Sequence, residues 1–208
     1  MSKDVAKKLK DIKVLRPYDQ QLVSLADMWK DGPVLLIMFR RWGCSLCRMS
    51  AVNISQLKPL LDTVGVRLVG VGVEQLGFQD FTNKGYFNGE LYIDEGKTAY
   101  KALSCETFTW KMLFSLLMGA LKDLVNITKE KGYEHNMQGE KFQLGGTFLI
   151  DKGGVELYSH YQTKLGFEPD IPKIIEALKV QLPEDYEPYP TFSQRPGANG
   201  GLVGKRVN

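Results

Sequence analysis

Apolar residues in this chain fall into short blocks, and the spacing inside each block sets what it can become. Residues 34–40 (VLLIMFR) are apolar almost throughout and follow Gly32-Pro33. A run that short, with no polar face, predicts a strand covered on both sides, as in a parallel sheet. Residues 66–73 (VRLVGVGV) predict a second such strand and residues 91–94 (LYID) a third, shorter one. Between the first two the period changes. Met49, Val52, Leu57, Leu60 and Leu61 give residues 44–64 helical spacing, and Pro59 predicts a kink or break within it. Short helices are expected over 78–83 and 96–103, and a longer one over 109–131, apolar first and charged later. Residues 14–29 are mixed, and only 25–29 there read as a short helix.

Further on, residues 147–151 (TFLID) and 155–161 (VELYSHY) flank Lys152-Gly153-Gly154, a hairpin signal in which the glycines supply the turn. Residues 170–180 predict a helix, with Asp170 as N-cap and Pro172 in the first turn. After Leu182 prolines and glycines dominate, so residues 183–208 read as a disordered tail behind one domain of residues 1–182. Strand, helix, strand, helix, then a hairpin and a last helix define an α/β fold. The expected architecture is a central mixed sheet flanked by helices, in the order of the thioredoxin-like fold.

Composition narrows the function. The 208 residues are 43% hydrophobic and 25% charged, with a net charge of +3. That balance fits a soluble globular domain and argues against nucleic acid or an anionic membrane as partner. The N-terminal residues show no apolar secretory core, and the longest apolar run, residues 112–121, falls far short of the roughly 20 residues that span a bilayer. No stable membrane insertion is expected, and a cytosolic location is. The three cysteines do not form a secreted disulfide framework.

Two of those cysteines, Cys44 and Cys47, stand three positions apart between the apolar strand and the helical segment. The spacing puts Cys44 at a helix N-terminus and Cys47 one turn in, on the same face. The partial positive charge and unpaired N–H groups of a helix N-terminus favour a thiolate, which is the reactive form. Arg40, Arg41 and Arg48 flank the pair and act in the same direction. The expectation is an exposed, low-pKa Cys44 and a more buried resolving Cys47. Zinc needs four ligands, and the remaining candidates, Cys105, His135 and His160, supply no second close pair.

Residues 39–48 (FRRWGCSLCR), 65–72 (GVRLVGVG), 85–94 (GYFNGELYID) and 143–147 (QLGGT) together resemble the peroxiredoxin-like 2 family. The likeness runs over about residues 10 to 180. It implies a thioredoxin-like fold, a cytosolic location and redox chemistry at Cys44 and Cys47. It also implies reduction of the endoperoxide of prostaglandin H2 and of its ethanolamide to F2α products, with NADPH as reductant. The Pro and Thr that precede the reactive cysteine of ordinary peroxiredoxins are not matched. Where thioredoxins place a cis-proline opposite the cysteine pair, this chain has Gly145-Gly146-Thr147.

In the reaction so implied, the Cys44 thiolate attacks one peroxide oxygen, Cys47 resolves the adduct, and Arg41 or Arg48 steadies the developing alkoxide. The disulfide then needs a reductant, either NADPH or a dithiol such as thioredoxin. Gly70 and Gly72 follow a strand but lack the third glycine of a dinucleotide fingerprint, so they read as close-packing residues. The apolar stretch Trp110, Met112, Leu113, Phe114, Leu116, Leu117 and Met118 reads as core or as a lipid groove. His135 and His160 have no partner motif, Cys105 is isolated, and Trp42 reads as packing beside the site. Two other readings of the same pair stay open: a general peroxiredoxin-like antioxidant or thiol–disulfide oxidoreductase, and a non-catalytic redox-sensing module.

Overall fold

The computed structural model describes residues 4–107, 122–136, 139–163 and 169–181. A seven-stranded sheet runs in the order β2-β1-β5-β4-β3-β6-β7. Its centre is parallel: β3 (Val34–Met38) pairs with β4 (Arg67–Gly72), and β4 with β5 (Glu90–Ile93). Antiparallel strands close both sides, β1 (Lys13–Arg16) with β2 (Gln21–Ser24), and β6 (Gly146–Ile150) with β7 (Glu156–Tyr161). The sheet is therefore mixed and flanked by helices, as expected for the thioredoxin-like class.

Alternation along β3 builds two apolar layers from one strand. Val34, Leu36 and Met38 pack with Val69, Val71, Tyr100, Phe148 and Ile150 beneath α1 (Val5–Leu9) and α5 (Thr98–Ala102). Leu35, Ile37 and Phe39 pack on the other face with Trp42, Ala51, Ile54, Phe81 and Leu149. That face carries α2 (Ser45–Ser55), α3 (Lys58–Thr63), α4 (Phe78–Asn83) and α7 (Ile171–Leu178). Every β3 residue is buried, which is why its sequence shows no polar alternation.

Pro59 marks a boundary rather than a kink. The predicted helix over 44–64 is two helices, and Pro59 sits in the first turn of α3, where its missing N–H costs nothing. Asp170 caps α7, its side chain accepting from the Lys173 N–H. Residues 13–24, read as mixed, form the β1–β2 hairpin; its turn runs through Pro17 and a left-handed Gln20 (φ 58°). No helix among the described residues is long and apolar enough to cross a membrane. The tail of residues 183–208, and residues 110–118 of the apolar stretch, lie outside the described residues.

Candidate active site

The chain leaves the C-terminal end of β3 at Phe39 and enters α2 at Ser45, and both cysteines sit on that junction. Tyr100 fixes its root: the phenol hydroxyl lies 2.6 Å from the Phe39 carbonyl and 2.8 Å from that of Val71, bracing β3 against β4. Trp42 anchors the middle. Its indole N–H donates to the Glu74 carbonyl at 2.6 Å, and its ring lies against Phe39, Phe78 and Phe81. Gly70 and Gly72 make this possible, since a Cβ at Gly70 would lie 2.5 Å from the Phe39 ring and one at Gly72 would lie 2.0 Å from the Trp42 ring. The two glycines are thus packing residues whose open side is filled by aromatic rings. They form no cradle for a dinucleotide.

Cys44 is the N-cap of α2, with extended backbone, and Cys47 follows within the first turn. Both are reduced thiols. The Cys47 thiol, donating to the Cys44 sulfur, holds Cys44 well below the ordinary thiol range; the Arg40 charge, the Cys47 N–H and the Arg41 charge add to this against the upward push of burial. The same contact, with burial and the Cys44 charge, pushes Cys47 well above the ordinary range. The shared proton therefore rests on Cys47 and the charge on Cys44.

The exposure of the two is the reverse of the sequence expectation. Cys44 is 4% exposed, whereas Cys47 is only partly buried. The cover comes from far along the chain. The segment 133–136, just after α6 (Lys122–Glu130), straps the start of α2. The Asn136 N–H donates to the Gly43 carbonyl at 2.9 Å, and the Ser45 N–H donates to His135 Nδ1 at 3.4 Å. Thr128 of α6 donates its hydroxyl to Ser45 Oγ at 3.1 Å. His135 therefore belongs to the site, although no motif or spacing in the sequence signals it.

The three arginines separate in space. Arg40 lines a cavity of about 20 Å³ together with Cys44, Cys47, Leu46, Gly146, Thr147 and Gln162. Its Nη1 also donates to the Lys141 carbonyl at 3.1 Å. Arg41 is buried, with Nη2 3.3 Å from His135 Nε2. Arg48 points away and is fully buried. It donates to the Trp42 carbonyl at 2.9 Å and the Glu134 carbonyl at 3.1 Å, and pairs with Asp80. Arg48 is thereby committed to holding the junction and the strap together. The residues opposite the pair are those expected, Gly146 and Thr147, and no cis peptide bond occurs among the described residues. Cys105 is half-buried against the other apolar layer.

A thioredoxin-like sheet with a thiolate at a helix cap and its protonated partner one turn on is the construction of a thiol oxidoreductase. The chain belongs to the AhpC/TSA antioxidant enzyme family, whose profile matches residues 53–164. Its relatives include the prostamide/prostaglandin F synthases of Salmo salar, 36% identical over 80% of this chain and 84% of that one, and of Homo sapiens, 37% identical over 69% and 73%. Among solved structures, peroxiredoxin Q of Xanthomonas campestris superimposes with a TM-score of 0.56 at 14% identity, covering 83% of this chain and 92% of that one. Peroxidoxin BcpB of Mycobacterium tuberculosis does so with a TM-score of 0.53 at 16% identity, over 81% and 89%.

Proposed function

We propose that this protein reduces the O–O bond of a lipid endoperoxide of the prostaglandin H2 type, and of its ethanolamide, to the F2α diol. The observation that carries this is the Cys44 thiolate held beside the Cys47 thiol and the Arg40 guanidinium at one cavity. The relatives' names supply the substrate class.

The thiolate attacks one peroxide oxygen, the O–O bond breaks, and the other oxygen leaves as an alkoxide that takes a proton from solvent. Cys44 then carries a sulfur–oxygen bond. Cys47 sulfur attacks Cys44 sulfur, the second alkoxide leaves and takes the Cys47 proton, and a Cys44–Cys47 disulfide remains. Two thiols are oxidised and one peroxide becomes two hydroxyls. Of the arginines named from sequence, Arg41 contributes its charge to the thiolate. Arg40, which lines the cavity with both sulfurs, is proposed to meet the alkoxide in place of Arg48.

The immediate donor is proposed to be a dithiol protein such as thioredoxin in the cytosol, where an unoxidised cysteine pair stays reduced. NADPH, the reductant that the family resemblance implies, is proposed to act upstream of that dithiol. The first experiment gives prostaglandin H2 and hydrogen peroxide separately to the purified protein, with NADPH alone or with thioredoxin and its reductase. F2α product that depends on the thioredoxin system and vanishes in Cys44→Ser supports both parts of the reading. A second reading, reduction of small hydroperoxides, is favoured by the cavity, whose volume of about 20 Å³ suits a water-sized molecule. Hydrogen peroxide turnover without F2α would select it.

A further inference from the structure

We propose that the Thr147 hydroxyl is a catalytic group that, together with the Arg40 guanidinium, holds the oxygen leaving the peroxide bond. The proposal rests on the reading that Cys44 attacks a peroxide, and it holds for a lipid endoperoxide and a small hydroperoxide alike.

Strand register aims the residue. In β6, Phe148 and Ile150 face the α5 layer, while Leu149 faces the α2 layer. Thr147 shares the side of Leu149, and it pairs with Ile37 of β3 beneath the first turn of α2. The two residues before it cannot offer a side chain. A Cβ at Gly145 would lie 1.8 Å from the Met38 carbonyl oxygen, and one at Gly146 would lie 2.7 Å from the His160 carbonyl oxygen. Thr147 is therefore the first side chain that β6 presents to the sulfurs, and it lines their cavity with Arg40.

Its hydroxyl is left without work in the resting fold. Thr147 is 3% exposed, and its side chain makes no hydrogen bond among the described residues. Other buried hydroxyls nearby are matched. Ser45 and Thr128 bond each other, Ser55 accepts from the Asn88 N–H, and Tyr100 donates to strand carbonyls. The hydroxyl belongs instead to the lining of the cavity that Cys44, Cys47 and Arg40 share, and valine has nearly the same shape without a donor. A donor on the wall of the cavity that holds the attacking thiolate is preorganised for charge that appears only in the transition state.

In the step, Cys44 sulfur bonds one oxygen and the O–O pair moves to the other. That second oxygen accepts hydrogen bonds from Thr147 Oγ1–H and Arg40 until solvent protonates it. Thr147 gives up no proton, and the thiolate is the electron donor.

The test is single-turnover oxidation of the reduced full-length protein by hydrogen peroxide, followed as Cys44–Cys47 disulfide by quenched-flow mass spectrometry. The rate at which iodoacetamide alkylates Cys44 is measured in parallel. Thr147→Val is expected to slow oxidation about 100-fold, the order found on removing one such donor, and to leave alkylation within twofold. Thr147→Ser is expected to restore most of the rate. Oxidation of Thr147→Val at the wild-type rate overturns the proposal, and so does equal slowing of oxidation and alkylation, which marks a packing role. If the wild-type protein itself resists both hydrogen peroxide and prostaglandin H2, the peroxide reading fails first and takes the proposal with it. Oxidation by hydrogen peroxide without F2α formation removes only the prostanoid substrate.

Discussion

Cys44 and Cys47 share one helical turn yet titrate in opposite directions, because a proton held between two sulfurs belongs to one of them. The contact between the two sulfurs makes the choice: the Arg40 charge lowers both thiols, but that contact reinforces it at Cys44 and opposes it at Cys47. Arg40→Met is expected to raise the Cys44 titration. Once its midpoint passes neutrality, alkylation at pH 7 slows about tenfold for each further pH unit, as read from the pH profile of iodoacetamide alkylation. The wild-type profile should lie at lower pH than that of an ordinary thiol, the rate falling on acidification as the depressed thiolate is protonated. Arg48→Met should behave differently. It strips donors from the buried carbonyls of Trp42 and Glu134, at about 1–3 kcal/mol for each unmet group, so the melting temperature falls. The chemistry per folded molecule should remain near wild type. Comparing melting temperature with single-turnover rate in the two variants separates the arginine that works on sulfur from the one that holds the junction.

The strap at 133–136 and the start of α2 act as one unit joined by few bonds. A Cβ at Gly43 would fall 2.1 Å from the Asn136 side-chain oxygen. Gly43→Ala is therefore expected to displace the strap, costing about 1–3 kcal/mol in overpacking, and to speed access of bulky maleimides to Cys44. Charge also governs this contact. His135 accepts from the Ser45 N–H through Nδ1, which only an unprotonated nitrogen can do. Burial first, and then the charges of Arg41, Arg40 and Arg48, lower its pKa, against the raising pull of Cys44. The neutral imidazole is thus the form the strap binds. Its stabilisation is complete above the ordinary value of 6.5 and is lost as pH falls through the lowered folded value. Hydrogen exchange at the Ser45 and Asn136 amides should accelerate, beyond the intrinsic pH effect, on acidification below the ordinary imidazole value of 6.5. His135→Gln, which cannot titrate, should remove that extra acceleration.

Across the whole sheet, stability and site geometry meet at Gly72. Its missing side chain leaves the space that Trp42 occupies. Gly72→Ala should therefore lower the melting temperature by several degrees and loosen the junction that carries the cysteines, visible as red-shifted tryptophan emission. Much of this was legible along the chain. Uninterrupted apolar runs announced β3 and β4, because both faces of each are buried. The glycine pair announced close packing, and the cysteine spacing at a strand–helix junction announced that Cys44 and Cys47 share one helix start. Local chemistry settled those features, since strand period, turn residues and helix caps act over a few positions. The β1–β2 hairpin was not legible, because its residues are half exposed and carry no clean alternation. Burial of Cys44 beneath a segment so much later in the chain, the parting of Arg40 from Arg48, and the meeting of Thr147 with the sulfurs were decided by tertiary structure alone. Each depends on which elements pack together, and sequence spacing carries no record of contacts between segments so far apart.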